Sequence, residues 1–209
     1  MSRVLPPGNP ESLTEWRHGL PELTGSMAVV REVQIADAAS LFAMLTTEEV
    51  ARFISSPPAT IDGFKRFILA MHRKRAEGRF ACFAIQPIGL DDAVGVIQVR
   101  EVEPDFGTAE WGFAIGSPFW GTGIFPDAAA LVMEFVFGTL GVHRLEARAA
   151  AVNPRGNRAL RKIGATCEGN LRRSFRKNGQ ALDQNLWAIL DSDWFQSEHR
   201  ARGNRPYGS

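Results

Sequence analysis

The chain has 209 residues, room for one full domain with ragged ends. With 44% hydrophobic, 10% aromatic and 22% charged residues it can bury a core, which excludes a low-complexity or fibrous protein. Lys plus Arg number 24 against 23 for Asp plus Glu, so a formal charge of +1 gives no global field toward nucleic acid or anionic lipid.

Residues 1–26 hold Pro6, Pro7, Pro10 and Pro21 with Gly8, Gly19 and Gly25, a punctuation that breaks helix and strand alike and predicts an N-terminal arm. Trp16 and Leu20 are its candidates for docking on the domain. The run AVVREV after Met27 reads as a strand, and Asp37 reads as the cap of a helix with Ala38, Leu41, Phe42 and Leu45 at helical spacing. Two prolines make residues 55–60 a loop. Residues 61–77 alternate apolar and basic positions near a period of 3.6, an amphipathic helix ended by Gly78. Three strand-like runs follow at 80–86, 94–101 and 109–115, and their short connectors predict an antiparallel meander. A helix over about 125–137 comes next, then a strand in HRLEARAA, a helix over 155–162 stopped by Gly164, and strands over about 166–175 and 183–190 flanking the turn Asn178-Gly179. Ser192 reads as the cap of a short last helix before the tail. The domain is therefore expected over 27–190, with a short helix and tail over 191–209. The fold class is a mixed α/β (α+β) sandwich, with a mostly antiparallel twisted sheet of about seven strands, about four helices and one strand–helix–strand crossover.

The apolar stretch from Ala128 to Phe137 is interrupted by Glu134 and is far shorter than the ~20 residues that span a bilayer. The N-terminus has no apolar run behind a basic start, and Cys82 and Cys167 lie too far apart for a metal knuckle. Both cysteines read as small buried hydrophobes, and the reading is a reduced, cytoplasmic protein with no membrane partner. His18, His72, His143 and His199 show no metal-ligand spacing, so no metal is expected.

The chemistry concentrates in residues 111–137. A strand ends at Ile115, a turn holds Gly116, Gly121 and Gly123, and an apolar helix starts at once. Strand, glycine turn and helix N-terminus form an anion cradle, since free N–H groups and the positive helix end point into the turn. A phosphate-bearing cofactor is the natural guest. A P-loop fails because no Lys follows the glycines, and a dinucleotide fingerprint has Pro126 where its third glycine should stand. The rest of the pattern is more specific: Glu110-Trp111-Gly112-Phe113, then Pro118-Phe119-Trp120-Gly121-Thr122-Gly123, then Asn153-Pro154-Arg155-Gly156-Asn157, Lys162-Ile163-Gly164-Ala165, Glu168-Gly169 and Asp183. In this order and spacing over residues 27–190 the chain resembles the GNAT superfamily of N-acetyltransferases, and within it the RimJ/RimL-like branch that acetylates N-terminal amines of ribosomal proteins.

The resemblance implies acetyl-CoA as co-substrate. It places the backbone of Phe113, Ala114 and Ile115 along the pantetheine, and the turn of Trp120, Gly121, Thr122, Gly123, Ile124 and Phe125 around the pyrophosphate. Asn153 would bond pantetheine or phosphate, with Asn157 beside it. Two departures stand out. Pro126 removes one amide donor from the first helical turn. The tyrosine that relatives often use to protonate the leaving thiolate has no counterpart, because Tyr207 in the tail is the chain's one tyrosine.

An alkylammonium cannot attack, so a base must take its proton, and Glu110 is the candidate. The alternative for Glu110 is an ion pair with Arg148 or another strand cation. Residues 155–177 carry eight basic side chains against Glu168, which suits the 3′-phosphate of CoA, an acidic substrate surface or simply a solvated face. The function expected is acetyl transfer to a primary amine by direct attack in a ternary complex. A protein or peptide N-terminus comes first as acceptor, and a small amine or aminoglycoside second. A catalytically idle acyl-CoA-binding module and a nicotinamide enzyme are the rivals. No nucleic acid partner is expected, and a homodimer through the C-terminal strands is the candidate assembly.

Overall fold

A computed structural model describes residues 15–196. Residues 1–14 of the expected arm and the tail from 197, with His199 and Tyr207, lie outside the described residues. The strands are β1 (Leu23–Thr24), β2 (Ala28–Glu32), β3 (Phe80–Pro87), β4 (Gly95–Glu101), β5 (Thr108–Ile115), β6 (Arg144–Ala150), β7 (Thr166–Lys177) and β8 (Gln180–Leu190). They form one sheet in the order β1-β2-β3-β4-β5-β6-β8-β7, and the β5–β6 pair alone is parallel. The helices are α1 (Ala38–Leu45), the single turn α2 (Glu48–Ala51), α3 (Ile61–Ala76), α4 (Ile124–Gly138) and α5 (Pro154–Lys162). The sheet has eight strands where about seven were expected. The additional pairing is β1, two residues embedded in the Pro/Gly-rich stretch and held in register by Leu23 opposite Val30.

Packing follows the alternation of side chains along the strands. One sheet face carries Phe83, Ile97, Trp111, Ile115 and Leu145 onto Val132, Phe135 and Val136 of α4. The other carries Cys82, Ala84 and Val96 onto Leu41 of α1 and Phe64 and Ile68 of α3. Each fully buried Phe, Leu or Ile contributes about 1.5–3 kcal/mol, so these two clusters hold the sheet between its helices. Trp16 is 4% exposed and meets Phe106 and Phe135 edge to face, so the chain is anchored to the domain well before β1.

Two local readings change. Asp37 does not cap α1 with its side chain; its carboxylate accepts from both terminal nitrogens of Arg31 and from the backbone N–H of Gln34. A buried carboxylate gains more from a bidentate guanidinium than from a lone amide, so the ion pair takes it. Cys167 is exposed, not buried. It stands on β7, the edge strand, most of whose residues face water. Cys82, central in the sheet, is buried, and desolvation pushes its thiol well above the ordinary range.

Candidate active site

The site arises where two parallel strands part. Pairing of β5 with β6 runs from Thr108–Arg144 to Trp111–Ala147 and stops there, while β5 continues against β4 to Ile115 and β6 continues against β8 to Ala150. Beyond Trp111 a wedge opens between the strands. The N–H of Gly116 donates to the carbonyl of Val94, which sets the phase of the β4–β5 ladder. Ala114, Gly112 and Glu110 therefore spend their backbone groups on β4, and Phe113 and Ile115 turn theirs toward the wedge. One of those groups is occupied: the carbonyl of Ile115 accepts from the indole N–H of Trp120 at 3.0 Å.

The glycine turn closes one end of the wedge. Gly121 and Gly123 have φ of 77° and 94°, the left-handed region that a side chain resists. This curls the chain so that α4 starts at Ile124 with its first N–H groups turned outward. The amides of Gly121, Thr122, Gly123 and Phe125 meet no acceptor among the described residues. The Trp120 amide is spent on Ser117 and the Ile124 amide reaches only the Thr122 hydroxyl at 3.4 Å. Four amides at a helix N-terminus remain for an anion. Pro126 is the third residue of α4, where the missing N–H would have had no intrahelical acceptor. The Trp120 ring also carries the Arg155 guanidinium 3.8 Å above it, which sets a cation from α5 beside the turn. Phe125 packs on Phe113 with centroids 4.2 Å apart, tying the turn to the wedge wall.

A carboxylate fixes this helix end from outside. Asp127 accepts from the N–H and hydroxyl of Ser26 and from the N–H groups of Met27 and Ala28. Desolvation pushes its carboxyl up, but those hydrogen bonds outweigh it and hold the group below the ordinary carboxylate range. Gly25 is required beneath it, since a Cβ there would sit 2.2 Å from the carboxylate.

Glu110, Gly112 and Ala114 point their Cα substituents to the other face, where a cavity of about 690 Å³ opens. Its apolar wall includes Phe53, Phe64, Phe67 and Phe80, its floor Gly112, Phe113 and Ala114, and its far side Ala147, Arg148 and Asn153. Glu110 lines it and is 19% exposed. The ion-pair alternative raised for Glu110 is present, with two strand cations. Oε2 accepts from Arg100 at 2.9 Å and Arg148 at 2.6 Å, while Oε1 has one long contact, to Arg100 at 3.4 Å. Oε1 keeps lone-pair capacity. The arrangement extends into a row of alternating charges across four strands, Arg100–Glu110–Arg148–Glu146–Arg144–Glu168. The hydrogen bond from Arg144 holds the Glu168 carboxyl below its usual range.

The two asparagines separate. Asn153 lines the cavity and caps α5, its Oδ1 accepting from Gly156 at 3.0 Å. Asn157 is 8% exposed and fully engaged. Its amide donates to the carbonyls of Ala150 and Asn153, and its oxygen accepts from the Trp187 indole at 2.9 Å and from Asn185 at 3.0 Å. Two donors and two lone pairs are all that an Asn side chain offers, so Asn157 joins α5, β6 and β8 and has nothing left for a cofactor. Sequence reasoning did not single out Arg100, Asp127 or the Arg155–Trp120 stack. Asp127 alone had a local signal, an acid in the first turn of a helix. Among the described residues no cluster of His, Cys, Asp or Glu could hold a metal, and no helix is long and apolar enough to cross a membrane.

A wedge between parallel strands, an amide-lined glycine turn at one end and a carboxylate in a cavity at the other suit an enzyme that moves a group between a phosphate-bearing donor and a second substrate. The chain belongs to the GNAT acetyltransferases, whose acetyltransferase (GNAT) domain model matches residues 28–166, and it is an N-acetyltransferase. Among curated proteins it is 26% identical over 175 residues to the uncharacterized N-acetyltransferase YoaA of Bacillus subtilis, covering 81% of this chain and 97% of that one. It is 26% identical over 112 residues to spermidine N(1)-acetyltransferase of Escherichia coli, covering 54% of this chain and 60% of that one. Among solved structures, RimJ of Mycobacterium smegmatis in complex with CoA-disulfide has a TM-score of 0.73 at 21% identity, covering 84% of this chain and 89% of that chain, a likeness of fold.

Proposed function

We propose that the protein transfers the acetyl group of acetyl-CoA to a primary amine, first of all the α-amine of a peptide or protein, by direct attack within a ternary complex. The observation that carries the reading is the wedge itself: β5 turns the unpaired backbone groups of Phe113 and the N–H of Ile115 toward it, and it ends at four unspent amides. This fits an extended amide-bearing pantetheine followed by a pyrophosphate. Gly121, Thr122, Gly123 and Phe125 would hold the pyrophosphate and Phe113 the pantetheine, with Arg155 near the phosphates. The order of motifs shared with the RimJ/RimL-like branch supports an N-terminal amine as acceptor.

Glu110 then acts as general base through Oε1, directly or across one water. It takes a proton from the acceptor's ammonium, because only the neutral amine can attack. The amine nitrogen bonds to the acetyl carbon, and the Ile115 N–H, the free amide at the wedge, donates to the oxyanion that develops. Collapse breaks the carbon–sulfur bond, the electron pair leaves on sulfur as the thiolate, and the excess proton on nitrogen passes to water. A thiol with a pKa near 8.5 leaves without a dedicated acid, so the lack of a tyrosine at this position is tolerable. Replacing Glu110 by Gln keeps its size and removes the base; acetylation of a peptide α-amine, followed by mass spectrometry, should fall at least about a hundredfold while acetyl-CoA still binds. Unchanged turnover would reject Glu110 as base, and acetyl-CoA binding without transfer to any amine in the native protein would favour the idle acyl-CoA-binding module.

A further inference from the structure

We propose that the acceptor cavity selects amines that carry an apolar group beside the amine and an acidic group close behind it, with Arg100 and Arg148 as the specificity-determining pair. The inference rests on the N-acetyl-transfer reading and narrows its acceptor. Three charged side chains line the cavity: Arg100, Glu110 and Arg148. The one carboxylate of the lining is already engaged by both guanidinium groups, so the lining carries a net charge of +1, with Glu146 outside it at 3.9 Å from Arg148. A further cation stands at the rim, where Lys177 from the β7–β8 hairpin donates to the carbonyl of Ile54 and the hydroxyl of Ser56.

A polyamine or aminoglycoside brings two or more ammonium groups. One can meet Glu110 and lose its proton; each other needs a carboxylate or an open acceptor cluster, and no second carboxylate lines the cavity. Like charge from Arg100, Arg148 and Lys177 opposes such a ligand instead. An acceptor with a carboxylate meets the opposite situation. A guanidinium has five N–H donors, and the pair with Glu110 uses Nε and Nη2 of Arg100 and Nη1 of Arg148. Arg100 Nη1 and Arg148 Nε meet no acceptor among the described residues, and both residues face the cavity. A carboxylate placed there would form charge-assisted bonds while the amine lies at Glu110 Oε1. The aromatic wall of Phe53, Phe64, Phe67 and Phe80 receives the apolar group.

The test uses the full chain, acetyl-CoA and three peptides that begin with Phe and differ at the second and third positions: Asp-Asp, Ser-Ser and Lys-Lys. Free phenylalanine and spermidine complete the set. The expected order in kcat/KM is acidic over neutral by about tenfold, with the basic peptide lower still and spermidine not acetylated. The advantage of the acidic peptide should lie mainly in KM and should shrink when salt is raised from 50 to about 500 mM in the native protein, a readout that needs no variant. In Arg100→Gln and Arg148→Gln, each first shown to bind acetyl-CoA, the ratio of acidic to neutral peptide should approach one. Free phenylalanine outpacing the peptides would support the same selectivity and assign it to a small acceptor. Equal rates for acidic and basic peptides, or efficient acetylation of spermidine, would overturn the inference and leave N-acetyl transfer standing. Acetyl-CoA binding with no amine acetylated would overturn both.

Discussion

Replacing Asn157 by Ala separates a structural joint from a cofactor ligand. The side chain makes four hydrogen bonds, to Ala150, Asn153, Asn185 and Trp187. Truncation strands one deeply buried group, the Trp187 indole N–H, in a residue that is 2% exposed, while the Ala150 carbonyl keeps the N–H of Asn153 at 2.8 Å. An orphaned buried polar group costs about 1–3 kcal/mol, so the truncation costs about 2 kcal/mol. For a domain of this size that corresponds to a fall in Tm of about 4–8 °C. Urea unfolding followed by tryptophan fluorescence, with calorimetric titration of acetyl-CoA on the folded variant, gives both quantities. The account expects a large loss of stability and an affinity for acetyl-CoA changed by less than about threefold, which is less than 1 kcal/mol. A Tm within about 2 °C of the native value, with affinity reduced more than tenfold, would show that Asn157 holds the cofactor and would refute the reasoning.

Asp127→Asn should destabilise the protein most near neutral pH. The native carboxyl titrates below its ordinary value of 3.8, so its contribution is fully present above that value and is lost as pH falls below it. Chemical denaturation across pH should show the gap between the native protein and the variant closing on acidification; a gap independent of pH would contradict the role given to Asp127. Gly123→Ala forces a Cβ onto a φ of 94° and to 2.8 Å from the Met27 sulfur. It should cost about 1–2 kcal/mol in urea unfolding and weaken acetyl-CoA binding, and an unaffected affinity would remove the turn from the site. Cys167 is exposed and Cys82 buried, so a thiol reagent should label one cysteine quickly under native conditions and the second only on unfolding. Rapid labelling of both would contradict the placement of Cys82.

Local signals made most of the fold legible. Helical periodicity over 61–77 and the closing Gly78 match α3, which ends at Ala76 before a glycine at φ 75°. The three short-linked runs match the β3–β4–β5 meander, and the apolar helix between two strands matches the parallel crossover from β5 to β6. The glycine turn was legible for the same reason: positive φ restricts the residue type at the position itself. Partners distant along the chain left no such trace. Glu110 meets Arg100 ten residues before it and Arg148 38 residues after it, and which strand cations flank it depends on a register no local pattern states. Asn157 looks like a motif residue in sequence, yet its role is set by Trp187 30 residues on. Asp127 grips a turn about 100 residues earlier. Cys167 was misjudged because its exposure depends on β7 lying at the sheet edge, a property of topology and not of composition.

Calorimetric titration of the full chain with acetyl-CoA, with NADPH as control, tests the central claim most directly. The account predicts saturable binding of acetyl-CoA at one site per chain and none of NADPH. Binding of NADPH, or of neither compound, would contradict the assignment of the wedge and its glycine turn to acetyl-CoA.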